Sequence, residues 1–307
     1  MWVKTGASAV LLTAAMILTA CGNPGSDPAG GGATTEHTDD ISAGVQPDPA
    51  AVALLPAEVK AKGTLVVAGD LTSPPTTFMA SDNQTPIGFN PDIARLIAAK
   101  LGLKLEIKNV KFDVIIPGLQ GNRYDLTVST MGTSAERLQV LDMIDYFQNG
   151  STVATPYGNP KKLAMDSLCG STLGVQSGST QEIKWLPKLS QENCVGKGKE
   201  RIKPISLPSV SDALTQVASK RIDGVFYDAT SLTWASTKQP NTFDVLQPVY
   251  NTAPVAVALN LNSPLTPAVQ AALQSIIDSP KYNEALSRWG FDGLGITTAA
   301  RSKPQAK

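Results

Sequence analysis

Histidine is all but missing from this chain. His37 is the single one in 307 residues, and it lies in a polar, glycine-rich stretch. A Ser-His-Asp or Cys-His nucleophile needs a histidine held in a folded pocket, and a histidine-based zinc site needs several. The count excludes both, and no metal site is expected; carboxylate and lysine chemistry stay open. A charge surplus is missing too: 26 basic and 26 acidic side chains give a formal net charge of zero. Nothing in that balance points to nucleic acid or to a strongly charged partner, so charge-dependent recognition has to come from a local site. There are only three cysteines. The apolar run Ala7–Ala20 has 14 residues, short of the roughly 20 that a membrane-spanning helix needs.

What is present begins with that run. Lys4 before it and the small residues at its end fit a signal peptide over residues 1–20. It closes on Leu18-Thr19-Ala20-Cys21, which resembles the lipobox of bacterial lipoproteins, where the cysteine thiol carries a diacylglycerol. The alternative is an ordinary secretory signal with a chance cysteine. Residues 21–59 are rich in Gly, Pro, Ala, Ser, Thr and Asp. Up to about Ala53 they hold hardly any large apolar side chains to offset the entropy of ordering, so they are expected to be a flexible tether. The reading therefore puts the protein outside the cytoplasm, lipid-anchored to a bacterial cell membrane. With Cys21 on lipid, Cys169 and Cys194 remain, an even pair in an oxidising compartment that suggests a disulfide; two free buried thiols are the alternative.

The body is expected from residue 60. Thr64–Gly69 reads as a buried strand with Asp70 at its end. Asn90 as N-cap, Pro91 at the first helical position and Asp92 complementing the dipole mark a helix, and Ile93, Leu96, Ile97 and Leu101 form its apolar stripe. A strand over Leu103–Val110, a short helix after Phe112-Asp113, and a strand ending at Ser129-Thr130 follow. Ser134 caps a turn containing Arg137. The pattern then repeats: strand Thr172–Gln176, a Ser177-Gly178-Ser179-Thr180 turn, a helix capped by Ser211, and a strand ending at Asp228. Val255–Leu259 reads as a late strand. Thr266-Pro267 and Ser279-Pro280 start two closing helices. Strands alternating with helices predict two α/β lobes with mostly parallel strands. Ligands in such sheets sit beyond the carboxyl ends of the strands, where Asp70, Ser129, Thr130 and Asp228 fall, and Ser179 and Thr180 fall at a helix N-terminus.

The segments Leu65–Asp70 with Pro74-Pro75, Gly88–Ala94, Phe112–Leu119 with Tyr124-Asp125, and Thr133–Arg137 with Asp142 and Tyr146-Phe147 resemble, in order and spacing, the family 3 extracellular solute-binding proteins, receptors of polar amino-acid ABC importers. The resemblance covers about Gly63 to Gly295. It implies a type II periplasmic-binding-protein fold with a two-strand hinge, the chain crossing near Val153 and returning near Thr252. Lobe 1 is then residues 60–153 and 253–296, lobe 2 residues 154–252, and residues 297–307 a loose tail. It also implies roles: Arg137 clamps the ligand α-carboxylate, Thr180 donates to it from lobe 2, and Asp228 pairs with the α-ammonium. Ser129 and the backbone near Gly132 make a polar wall, Asp70 is a pocket acid and Phe112 an apolar wall. This chain departs from the family pattern at Ser73 and Thr76, where aromatics are common, at Gly132, where Ser or Thr is common, and at Asn90-Pro91, which replaces an acidic pair.

Each assignment has a plainer reading: Arg137 on the surface, Asp228 and Asp70 as loop caps, Ser129 and Thr180 bonded to their own backbone, Phe112 in the core. Trp185, Trp234 and Trp289 are read as packing. The function implied is that of a monomeric receptor, not an enzyme, that needs no cofactor, binds an amino acid and delivers it to a membrane permease. A periplasmic cyclohexadienyl dehydratase on the same fold, or a ligand-sensing module, are the alternatives.

Overall fold

The computed structural model describes residues 36–302. Two short helices, α1 (Pro49–Ala53) and α2 (Ala57–Lys62), lead into strand β1 (Thr64–Gly69). Then come the short strands β2 (Thr72–Ser73), β3 (Thr77–Met79) and β4 (Pro86–Ile87), helix α3 (Phe89–Leu101), β5 (Lys104–Asn109), α4 (Ile115–Gln120), β6 (Leu126–Gly132) and the long β7 (Leu141–Pro156). Next are β8 (Thr172–Gln176), α5 (Leu186–Asn193), β9 (Lys203–Leu207), α6 (Val210–Ala218), β10 (Gly224–Asp228), α7 (Ala229–Lys238) and β11 (Phe243–Val245). The chain returns along β12 (Tyr250–Asn260) into α8 (Thr266–Ile277) and α9 (Pro280–Arg288).

The main sheet has the order β5-β1-β6-β12-β7-β10-β8-β9, with β11 also on β7. β1 is parallel to β5 and β6, and β8 is parallel to β9 and β10. Between these groups β7 and β12 run antiparallel to each other and to their outer neighbours. Two α/β lobes therefore share one pair of crossing strands. The change of partners falls just ahead of Val153: Asn149 pairs with Ala253, while Ser151 pairs with both Tyr250 and Asp228.

Apolar clusters line both faces of each lobe's strands. In lobe 1, Ile93, Leu96, Ile97 and Leu101 of α3 bury their stripe with Val67, Leu126 and Val257, while Phe112, Ile115 and Met131 cover the other face. In lobe 2, Phe226 and Leu173 pack on one face, Val225 and Val217 on the other. Each such side chain contributes about 1.5–3 kcal/mol on burial. Gly102, left-handed at φ 66°, ends α3. Cys169 and Cys194 form the disulfide, with Cα atoms 5.5 Å apart and a sequence separation of 25; the chain-entropy account gives such a loop about 3 kcal/mol.

Several local readings change. The tether expected to reach residue 59 is packed against the body from Ile41 onward: Ile41 is 1% exposed, Ala51 is fully buried, and α1 lies on α8. Scattered apolar residues, too sparse to be conspicuous in a polar stretch, are enough to seat it. The tail expected to be loose from residue 297 is held over its described part. Ala299 is buried, Ile144 and Arg301 form a β-bridge, and Arg301 pairs with the buried Asp142. Asn90 is not an N-cap: Gly88 takes that position, without a side-chain cap, and Asn90 is buried among polar partners. Asp92 is buried against Arg95, Arg288 and Trp289. Ser209, not Ser211, caps α6; Ser211 Oγ instead donates to Thr72 O of lobe 1 at 2.9 Å. Cys21 and the signal segment lie outside the described residues.

Candidate functional site

A cavity of about 260 Å³ lies between the lobes, at the crossing strands. Phe112, Ser129, Thr130, Gly132, Ser179, Thr180 and Asp228 line it. The lobe 1 wall owes its shape to a break in the sheet. β12 pairs Ala256 with Met131 and Val257 with Val128, so Ser129 and Thr130 are left over as a bulge. Thr130 has a φ of 51°, uncommon for a β-branched residue and a conformation that only surrounding contacts maintain. Those contacts are buried and polar. Tyr146 Oη accepts from Thr130 N at 3.0 Å and donates to Asn90 Oδ1 at 2.6 Å, and Asn90 Nδ2 donates to Thr130 Oγ1 at 3.0 Å and Thr77 Oγ1 at 2.6 Å. Asn90 thus supports the cavity wall from behind. Ser129 Oγ turns inward, 2.7 Å from Thr127 Oγ1.

Arg137 and Asp70 stand behind this wall. Arg137 is 3% exposed. Its Nη1 donates to Gly132 O at 2.5 Å and to Thr180 Oγ1 at 2.8 Å, and its Nη2 to Gly178 O at 2.9 Å. One guanidinium therefore joins the two lobes, since Gly132 belongs to one and Gly178 and Thr180 to the other. Its Nε has no hydrogen-bond partner among the described residues, and burial lowers its pKa to about 10. Gly132 is needed for this approach: a Cβ there would come within 2.8 Å of Thr180 Oγ1. The phenyl ring of Phe112 lies 5.8 Å from the guanidinium carbon.

On lobe 2, Asp228 ends β10 with 8% exposure. Its Oδ1 accepts from Gln181 Nε2 at 2.7 Å, and that amide also donates to Ser151 Oγ at 3.0 Å. Burial raises the Asp228 pKa to about 7. Ser179 caps its own turn, its Oγ accepting from Glu182 N at 3.2 Å. Asp70 accepts from Thr72 Oγ1 at 2.6 Å and from Gln176 Nε2 at 2.7 Å, and burial raises its pKa as well.

The sequence reading missed Asn149 and Ser151 on the crossing strand, Gln176, Gln181 and Tyr227 from lobe 2, and Trp185, read as packing but lining the cavity. Gln176 and Tyr227 sit at predicted strand ends, the one signal that could have picked them out. Among the described residues, no group of three or more His, Cys, Asp or Glu side chains is placed to hold a metal ion, and no helix is long and apolar enough to cross a membrane.

Two parallel-sheet lobes, two crossing strands and a polar cleft between them describe a binding architecture, and sequence comparison supplies its family. Residues 65–292 match the bacterial extracellular solute-binding proteins, family 3. The chain belongs to that family. Among curated members, the arginine-binding protein ArgT of Corynebacterium glutamicum is 29% identical over 246 residues, covering 80% of each chain. Among solved structures, an ancestral arginine-binding protein bound to arginine superposes with a TM-score of 0.67 at 29% identity, over 74% of this chain and 98% of that one. An ancestral amino-acid-binding protein described as a precursor of cyclohexadienyl dehydratase has the same TM-score of 0.67 at 24% identity, over 76% of this chain and 97% of the other, and shares the fold. Family membership makes this an extracytoplasmic solute-binding protein.

Proposed function

We propose that this protein is a lipid-anchored receptor, not an enzyme, whose lobes close on one α-amino acid and present it to an ABC permease. Arg137 takes the α-carboxylate, with Thr180 beside it, and Asp228 takes the α-ammonium. The observation that carries the reading is a pair of opposite buried charges, one from each lobe, against a single cavity: the Arg137 guanidinium behind Gly132 and Thr180, and the Asp228 carboxylate in the lining. A zwitterion that leaves water needs both partners, because an unpaired buried charge costs several kcal/mol. Arg137 now donates to two neutral carbonyls, and a carboxylate is a stronger acceptor for the same planar fork. Since the two charges lie on different lobes, ligand binding favours the closed arrangement.

A cationic amino acid of the arginine class is the first ligand to test, given what the Corynebacterium relative and the ancestral protein are named for. In a thermal-shift screen over the amino acids, a ligand at 100 times its Kd adds about 2.7 kcal/mol, a rise of several degrees. No shift with any amino acid, together with turnover of a cyclohexadienyl acid, would replace this reading with the enzymatic one. The anchor is tested separately: a fatty-acid probe in growing bacteria labels the wild type, and Cys21→Ala leaves the protein unlabelled and released into the medium. A labelled Cys21→Ala protein refutes the anchor.

A further inference from the structure

Two residues of the cleft have no part in holding a zwitterion. Gln176 and Tyr227, both from lobe 2, line the cavity and reach across to lobe 1. Gln176 Nε2 donates to Asp70 Oδ2 at 2.7 Å, Tyr227 Oη donates to Gln176 Oε1 at 2.9 Å, and Ser73 Oγ lies 3.2 Å from Tyr227 Oη. Exposure is 5% for Asp70, 6% for Ser73, 1% for Gln176 and 6% for Tyr227, so water offers these groups little alternative. Thr72 Oγ1 occupies the other oxygen of Asp70.

The directions of these bonds follow from one another. A carboxylate can only accept, so the Gln176 amide turns its nitrogen to Asp70 and its oxygen to Tyr227. The Tyr227 proton is then committed to Gln176, and the Ser73 hydroxyl supplies the hydrogen for the remaining contact. The oxygens of Gln176, Tyr227 and Asp70 keep lone pairs to accept with, Asp70 brings the formal negative charge of this group, and the second Gln176 N–H is its one uncommitted donor. Acceptors therefore outnumber donors on this side of the cavity. A guanidinium or ammonium supplies what the wall lacks; a carboxylate or an apolar end does not.

We propose that Tyr227, together with Gln176, selects the ligand side chain by presenting an acceptor-rich wall, fixed across the cleft on Asp70 and Ser73, to the cationic end of a basic amino acid. This rests on the reading of the cleft as an amino-acid site and deepens it by naming the side-chain class. L-Arginine and L-citrulline test it, because they share length and shape and differ in terminal charge and donor count. By calorimetry the wild type binds arginine at least tenfold more tightly than citrulline. Tyr227→Phe keeps the ring and frees the amide, and Gln176→Leu keeps the volume and removes the acceptor. Each lowers arginine affinity about tenfold or more and narrows the arginine-to-citrulline ratio. Variants that keep the wild-type ratio, whether affinity holds or both ligands weaken equally, overturn the inference and leave the receptor reading standing. So does a wild type that prefers citrulline or an acidic amino acid. A wild type that binds no amino acid sinks the receptor reading and this inference with it.

Discussion

Arg137→Ala weakens amino-acid binding by about 100-fold or more, the equivalent of the roughly 3–5 kcal/mol that follows when a buried charge loses its partner. The expectation follows from the guanidinium's position. Three of its donor contacts go to Gly132, Gly178 and Thr180 from within a nearly closed environment, so a ligand carboxylate reaching this point finds a donor already oriented and stripped of water. Alanine leaves the carboxylate, two backbone carbonyls and a hydroxyl without that donor. Arg137→Lys separates charge from geometry: the ammonium keeps the positive charge but cannot donate two parallel bonds in a plane. It therefore recovers part of the loss and stays at least tenfold weaker than the wild type. Isothermal calorimetry on the three proteins decides the matter. Near-native affinity in the alanine variant would mean that Arg137 only fastens one lobe to the other.

How much of this was legible in the sequence depends on the range of the interaction. Periodicity and punctuation are local, and they located α3 by its stripe, the strand ending at Asp228 by its run of apolar residues, and α8 and α9 by their Thr-Pro and Ser-Pro starts. Family likeness carried what local pattern could not, the bringing of Phe112, Ser129, Thr180 and Asp228 to one cavity. Asn90 failed as a cap because its amide found better partners in Thr77, Thr130 and Tyr146, one of them 56 positions away; a cap preference is worth only about 1 kcal/mol and yields to a buried network. The bulge at Ser129-Thr130 arises from register with β12, far along the chain. Gln176 and Asp70 are 106 positions apart, and Ser73 and Tyr227 are 154 apart. No short motif announces such pairs. Residues 41–59 were misread for a related reason: composition measures the average of a segment, whereas Ile41 and Ala51 find seats singly.

The second large effect lies in pH. Burial raises the Asp228 pKa from its ordinary 3.8 to about 7. An ammonium beside it favours the ionised form, so binding at low pH has to expel a proton. Ligand Kd is therefore flat between pH 7 and 8, where the ligand ammonium is still protonated, and rises about tenfold for each pH unit below 7, the proton-linkage limit for one group. Folding follows the opposite sign. The native protein holds this proton more tightly than the unfolded chain does, so the group's contribution to stability is complete below pH 3.8 and is lost as pH rises to about 7, by about 1.4 kcal/mol per unit. Ligand reverses the loss, because its positive charge compensates the buried carboxylate. Asp228→Asn removes the titration while keeping the shape. The variant binds about 100-fold or more weakly at pH 8, its Kd no longer changes between pH 5 and 8, and the stability difference between those two pH values shrinks in urea titrations. A steep pH dependence retained by Asp228→Asn would assign the proton to another group, and undiminished affinity at pH 8 would remove Asp228 from the ammonium site.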